Sequence, residues 1–310
     1  MTPQTFLSQP QTVGIIGAGF NGGQPRGGVE LGPARLVEHG LIDQLKELGW
    51  NVDFDEKFPD YELLRPQTPS VGKLKNAHFV SNVCQSVFTT VREHCEAGRL
   101  ALTLGGDHSI AMGTVAGSAS VHKGLGVIWV DAHADINTPE TTSTGNLHGC
   151  PVAFLTGLAG QVQFFEWLKP CLPLHRIVYI GLRDVDGPEK KILKENNIKA
   201  FSMHEVDRYG IGKVVEMALD YLGRESPIHL SFDVDGLDPS VVPATGTPVR
   251  GGLSFREGHY ICEAIHEIGT LVAVDLMEVN PALANDNLSL AQTIQVGCSL
   301  VRAALGETLL

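Results

Sequence analysis

Short runs of β-branched and aliphatic residues alternate along the chain with longer segments of helical spacing, and this alternation narrows the fold more than any other feature. The runs fall at 13–18, 100–104, 126–130, 177–182, 198–202, 228–235 and 271–279, and a weaker one near Asn51 makes eight. Helical periodicity occupies 32–48, 73–97, 212–222, 255–268 and 289–305. Strands separated by helices predict a parallel sheet covered by helices, either a doubly wound open sheet or an eight-fold barrel. Both architectures put a ligand site at the carboxyl ends of the strands. With 310 residues, 43% of them hydrophobic, the chain can bury a large core. It has no linker, composition break or low-complexity tract, so one domain over 1–310 is expected.

The formal charge of −12 argues against nucleic-acid or anionic-membrane partners and favours a cationic ligand. No apolar run approaches the roughly 20 residues needed to span a bilayer, and the start, MTPQTFLSQPQT, lacks the pattern of a secretory or transit signal. The six cysteines have no CxxC spacing and read as reduced thiols. A cytoplasmic protein is the expectation.

Chemistry is concentrated after three of the strand runs. Asp131-Ala132-His133-Ala134-Asp135 follows GVIWV, and in extended chain the alternate side chains Asp131, His133 and Asp135 would share a face. Asp233-Val234-Asp235 follows IHLSF with the same spacing, and Gly105-Gly106-Asp107-His108-Ser109 follows LALTL, its glycines permitting a tight turn that delivers His108. Either acidic motif alone reads equally well as turn and helix-cap residues. Together they gather carboxylates that repel one another unless a cation lies between them. Four Asp and two His, without thiolate, fit manganese better than structural zinc or magnesium. Six donors are too many for one ion with open positions, so two ions sharing carboxylates are expected, with a water activated between them for hydrolysis. Asp107 and Ser109 read as cap residues, and Gly17-x-Gly19-x-x-Gly22 reads as a glycine-rich loop, because no helix or ribose-binding acid follows in the required place.

GGDHS, DAHAD and SFDVDGLDP, together with the loop NTPETTSTGNLHG at 137–149, resemble the arginases of the ureohydrolase family. The resemblance extends from VGIIGAGFNGGQPRGGVELGP through RIVYIGLRDVD to MEVNP, nearly the whole chain. It implies a three-layer α/β/α fold with a mainly parallel eight-stranded sheet, two Mn2+ per chain, and hydrolysis of L-arginine to L-ornithine and urea. It also implies that His108, Asp131, Asp135 and Asp233 bind one ion, and His133, Asp131, Asp233 and Asp235 the other. Asp135 would relay a proton, His148 would shuttle one, and Glu278 would face the guanidinium, with Thr247 near the bridging solvent. Asn137 and Thr144, with Asn146 nearby, would bind the α-carboxylate, and Asp186 and Glu189 would address the α-amino group. Thr144 and the order Gly187-Pro188 depart from the commoner pattern. A homotrimer or homohexamer is implied, with Arg256 and Glu257 at interface positions. The rival readings are an agmatinase or another guanidino-hydrolase, a metallophosphoesterase, and a non-catalytic relative serving as a binding subunit.

Overall fold

Each of the eight apolar runs forms a strand, and all eight join one sheet: β1 Thr12–Ala18, β2 Asn51–Asp53, β3 Leu100–Gly105, β4 Gly126–Val130, β5 Ile177–Leu182, β6 Lys199–Ser202, β7 Ile228–Asp233 and β8 Leu271–Met277. The computed structural model describes residues 5–308. The order across the sheet is β2-β1-β3-β8-β7-β4-β5-β6, with every pairing parallel. The sheet is open, which removes the barrel. β3, β4, β5, β7 and β8 are buried at every position, so both faces are covered.

Helices α1 Gly32–Glu38, α2 Leu41–Glu47, α3 Ala77–Glu96, α4 Ala111–Val121, α5 Pro151–Thr156, α6 Gly187–Glu195, α7 Met203–Tyr209, α8 Ile211–Leu222, α9 Phe255–Glu267 and α10 Asn287–Ala304 supply that cover, giving three layers, α/β/α. The core between them holds Leu100, Leu102, Leu104, Trp129, Tyr179 and Phe232, all nearly inaccessible to water. Full burial of a large aliphatic or aromatic side chain contributes about 1.5–3 kcal/mol.

The strands follow the expected runs closely, whereas the helices differ in several places. The segment at 32–48 forms two helices rather than one, because Gly40 adopts a left-handed φ of 90° and caps the start of α2. The helix expected from 73 begins only at Ala77, after Asn76 at φ 52°. The run at 228–235 stops being a strand at Asp233 and continues as a 3-10 turn, Val234–Gly236. α5, α6 and α7 are too short for periodicity to reveal.

The chain order explains where the site falls. β3 and β4 are not neighbours, and β7 and β8 enter late to fill the gap between them. Since all strands run the same way, the segments after β3, β8, β7, β4 and β5 emerge side by side at one sheet edge. The turn after β3 is tightly packed: a Cβ added at Gly106 would lie 1.9 Å from the carbonyl oxygen of Phe20 in the loop after β1. Gly106→Ala should therefore cost about 1–3 kcal/mol and lower the melting temperature by a few degrees in a thermal melt; an unchanged melt would contradict this packing.

Candidate metal centre

Strand register brings the acidic motifs together. Val130 pairs with Phe232 as the last rung between β4 and β7, so Asp131 and Asp233 leave the sheet as neighbours. Neither motif is extended. β4 ends at Val130, and Asp131 Oδ1 accepts the backbone N–H of His133 at 2.6 Å, closing a turn. Asp233 does the same for the N–H of Asp235 at 2.8 Å. Asp131, His133 and Asp135 thus converge through a folded loop rather than through strand alternation, and Asp135 sits in left-handed backbone at φ 50°. A short polar side chain that bonds its own backbone two residues on favours such a turn.

Two donor groups result. His108, Asp131 and Asp233 place ligand atoms within 4.8 Å of one another, and so do Asp131, His133 and Asp235. Asp131 belongs to both. His108 Nδ1 is 3.1 Å from Asp131 Oδ2, 3.2 Å from Asp233 Oδ2 and 3.4 Å from Asp135 Oδ2. His133 Nδ1 is 3.3 Å from Asp131 Oδ1 and 3.2 Å from Asp235 Oδ2. The structure therefore brings together all six residues expected to bind metal.

The electrostatics of the bare cluster show what it lacks. Burial and the neighbouring Asp131 charge push the carboxyls of Asp135 and Asp235 up, and burial with the Asp235 and Asp131 charges does so for Asp233. Burial also acts on Asp131, but hydrogen bonds from His108 and His133 outweigh it and hold its carboxyl well below the usual range. Both imidazoles are raised: burial opposes their charge, but the flanking aspartates prevail. Four carboxylates facing two imidazoles leave negative charge unbalanced even when both rings are protonated, so the site takes up either protons or cations. Its oxygen and imidazole donors suit a divalent ion of intermediate hardness. The residues present fit the implied pair of metal ions.

Behind His108 runs a buried polar chain. His108 Nε2 is 2.9 Å from Ser231 Oγ, which donates to Asp275 Oδ2 at 3.2 Å; that oxygen also receives Thr114 Oγ1 at 2.6 Å and is 2.8 Å from His229 Nε2. Because the Ser231 hydroxyl donates to Asp275, it accepts from His108, which places a proton on Nε2 and directs Nδ1 at the carboxylates. The Trp129 indole stacks on His108 at 4.0 Å and donates to Asp131 Oδ2.

Above the cluster opens a polar cavity of about 190 Å³. His133, Asp135 and Asp233 lie on its wall, together with Asn137, Thr144, Asn146, His148, Asp186, Glu189 and Thr247. His108, Asp131, Asp235 and Glu278 are buried beneath. Glu278, at φ 64°, accepts the His108 N–H at 3.0 Å through Oε1, and that oxygen is 3.7 Å from His148 Nδ1. His148 is raised: burial opposes the charge, but Glu278 outweighs it. Thr247 donates to Asp235 Oδ2 at 2.8 Å. Asp186 caps α6, with Pro188 in its first turn, and Asn137 Nδ2 donates to Asp186 Oδ2 at 3.2 Å. Both oxygens of Glu189 are engaged by backbone N–H groups, Oε1 by Ile136 and Oε2 by Asp186. Thr144 Oγ1 accepts the N–H of Asn146.

Several residues escaped sequence reasoning. Thr142, Ser143, Gly149 and Asp184 also line the cavity. Asp184 lies two residues beyond the β5 run, so the strand-end rule that found DAHAD could have found it. Gln24, Ser231 and Asp275 carry no local signal, since each acts through a contact distant in sequence.

Fold and site together define an α/β protein with a clustered Asp/His centre at the carboxyl edge of a parallel sheet, of the kind that holds divalent metal. The chain matches the model described as "Arginase family" over residues 11–306, and it belongs to that family. It is 58% identical over 320 residues to the arginase of Glaciozyma antarctica, covering 100% of this chain and 92% of that one. Among solved structures it resembles the arginase of Bacillus caldovelox, with TM-score 0.88, 38% identity, and 97% and 100% of the two chains covered. It also resembles the arginase of Entamoeba histolytica in complex with L-ornithine, with TM-score 0.85, 31% identity, and 96% and 98% covered.

Ser231→Ala leaves His108 Nε2 without its buried acceptor. It should cost about 1–3 kcal/mol of stability in denaturant unfolding. A stability equal to the parent would show that the ring is fixed by other contacts.

Proposed function

We propose that the chain hydrolyses L-arginine to L-ornithine and urea with two manganese ions per chain. The observation that carries this reading is the cavity itself, which joins the Asp/His cluster to the Asn137–His148 loop and to Asp186 on one continuous wall. The arginase names of its relatives and the L-ornithine held by the Entamoeba enzyme agree with it. His108, Asp131, Asp135 and Asp233 would hold one ion and His133, Asp131, Asp233 and Asp235 the other, a division supported by Asp131 belonging to both donor groups. When bound, such ions lower the pKa of water and polarise the group it attacks.

The remaining work falls to the chain. Glu278 presents a buried carboxylate to the cationic guanidinium. Asp135, on the cavity wall, receives a proton from the attacking water and passes it toward the departing amine. His148 carries protons between this wall and solvent, a role suited to an imidazole one-fifth exposed. Thr247 fixes Asp235 by its hydroxyl bond. Asn137, Thr144 and Asn146 read the α-carboxylate, and Asp186 attracts the α-amino group. Glu189 holds Asp186 and residue 136 in place through one backbone N–H on each oxygen, and its remaining lone pairs and charge address the α-amino group together with Asp186.

We extend the reading to a cytoplasmic assembly of three or six copies. No helix among the described residues is long and apolar enough to cross a membrane. Arg256 lies exposed on α9 beside Glu263, and the half-buried Glu257 next to it completes the capping box of that helix with Ser254.

A urea-release assay tests the reading. With manganese, arginine should be cleaved and agmatine, which lacks the α-carboxylate, should be cleaved at least tenfold less efficiently. Asp131→Asn should reduce arginine cleavage by several orders of magnitude, as expected when a group acting as part of a catalytic unit is removed. Faster cleavage of agmatine than of arginine would favour an agmatinase, equal rates would refute the reading of the α-carboxylate, and full activity of the variant would refute the metal assignment.

A further inference from the structure

The glycine-rich segment 17–28 begins like a nucleotide-binding turn, yet no helix opens on its glycines; the next regular element is the 3-10 turn Val29–Leu31. It instead reaches four of the segments that build the site. Gly23 N donates to Asp107 Oδ2 at 2.8 Å, and Gly23 O accepts the N–H of His148 at 3.1 Å. Arg26 Nη1 donates to Gly246 O at 2.6 Å, next to Thr247. Gln24 Nε2 donates to Glu278 Oε2 at 2.7 Å. Gly23 itself has no room for a side chain, since a Cβ there would lie 2.5 Å from both Asp107 Oδ1 and Ser109 Oγ.

We propose that Gln24 is a positioning residue that fixes the plane of the Glu278 carboxylate while leaving its negative charge free for the cationic end of the substrate. The inference rests on the reading of this cavity as one that takes a guanidinium group. A carboxylate held by one donor can still roll about its terminal bond, where the torsional wells are broad. Glu278 is held by two, the His108 N–H on Oε1 and the Gln24 amide on Oε2, and they come from different loops. Their combined direction sets the roll of the group as well as its place. The amide must present nitrogen, because an oxygen facing a carboxylate would be repelled.

The choice of a neutral donor matters as much as its position. Gln24 is almost fully buried. A lysine there could donate an equally good or stronger hydrogen bond, but it would also bring the positive charge that the substrate is meant to supply. A brace selected only for strength would be improved by that charge; a brace serving cation recognition would be ruined by it.

The experiment compares the full-length, manganese-loaded protein with Gln24→Met, which keeps the length and removes the donor, and Gln24→Lys, which adds the charge. Steady-state kinetics on arginine, melting temperature and bound manganese are measured for each. Q24M is expected to raise KM about tenfold and to lower kcat, the loss of one hydrogen bond to a charged group, with manganese content unchanged. Q24K is expected to keep its manganese and its melting temperature, and to raise KM at least tenfold beyond Q24M. Kinetics of Q24M equal to the parent would overturn the inference. So would a Q24K no more impaired in KM than Q24M, or a loss of manganese and melting temperature that alone accounts for the defects. Should Q24M fail to fold, Q24K decides by its KM and manganese content. A parent protein that does not cleave arginine would overturn the functional reading and this inference with it, whereas an active parent with an indifferent Q24M would overturn the inference alone.

Discussion

Buried like charges set the terms for this molecule. Asp131, Asp135, Asp233 and Asp235 meet at one edge of the sheet with almost no access to water; burial and neighbouring charge make Asp135, Asp233 and Asp235 harder to ionise, while hydrogen bonds from His108 and His133 keep Asp131 ionised. Desolvating even one carboxylate costs several kcal/mol when nothing compensates it. Two imidazoles compensate in part. The remaining charge is what makes the cluster a receptor for cations rather than a structural ion-pair network, in which opposite charges would come closer to balance. The fold tolerates this because the acids lie at or just beyond the strand ends, where the following turns can supply backbone N–H groups to Asp131 and Asp233.

The supporting shell follows from the same constraint. A side chain that must hold its position against repulsion needs partners that do not themselves change charge at the site. Ser231, Trp129, Thr247 and Gln24 are such partners for His108, Asp131, Asp235 and Glu278. Asp275 is the exception, a carboxylate set within β8, and three polar side chains converge on one of its oxygens. Asp135 and Glu278 share a second kind of cost, a left-handed backbone that side-chain-bearing residues rarely adopt. Strain of this kind, about 1–3 kcal/mol per residue, persists only where surrounding contacts over-determine it. Glu278 shows those contacts, since its N–H goes to Gly106 O and both carboxylate oxygens are held.

How much of this could be read from sequence depended on distance along the chain. The strands were legible because a fully buried parallel strand is a short apolar run and little else. DAHAD, DVD and GGDH were legible because each packs its chemistry into five residues or fewer. The route by which Asp131, His133 and Asp135 converge was not, because alternation presumes extended chain and the Asp131 side chain folds that chain into a turn. The 32–48 helix broke at Gly40 for a local reason visible only once its φ is known. Gln24 and Glu278 are 254 residues apart, and nothing in a single sequence joins them. The glycine loop could be denied a nucleotide but could not be given its actual neighbours.

Cation demand at the cluster is the claim from which the rest descends, and it can be measured without any substrate. Calorimetric titration of the metal-free protein with manganese, checked by elemental analysis of the loaded product, counts the ions directly. The account predicts two equivalents per chain, with protons released as the raised carboxyls and imidazoles give way to metal. A single equivalent, or none, would contradict it.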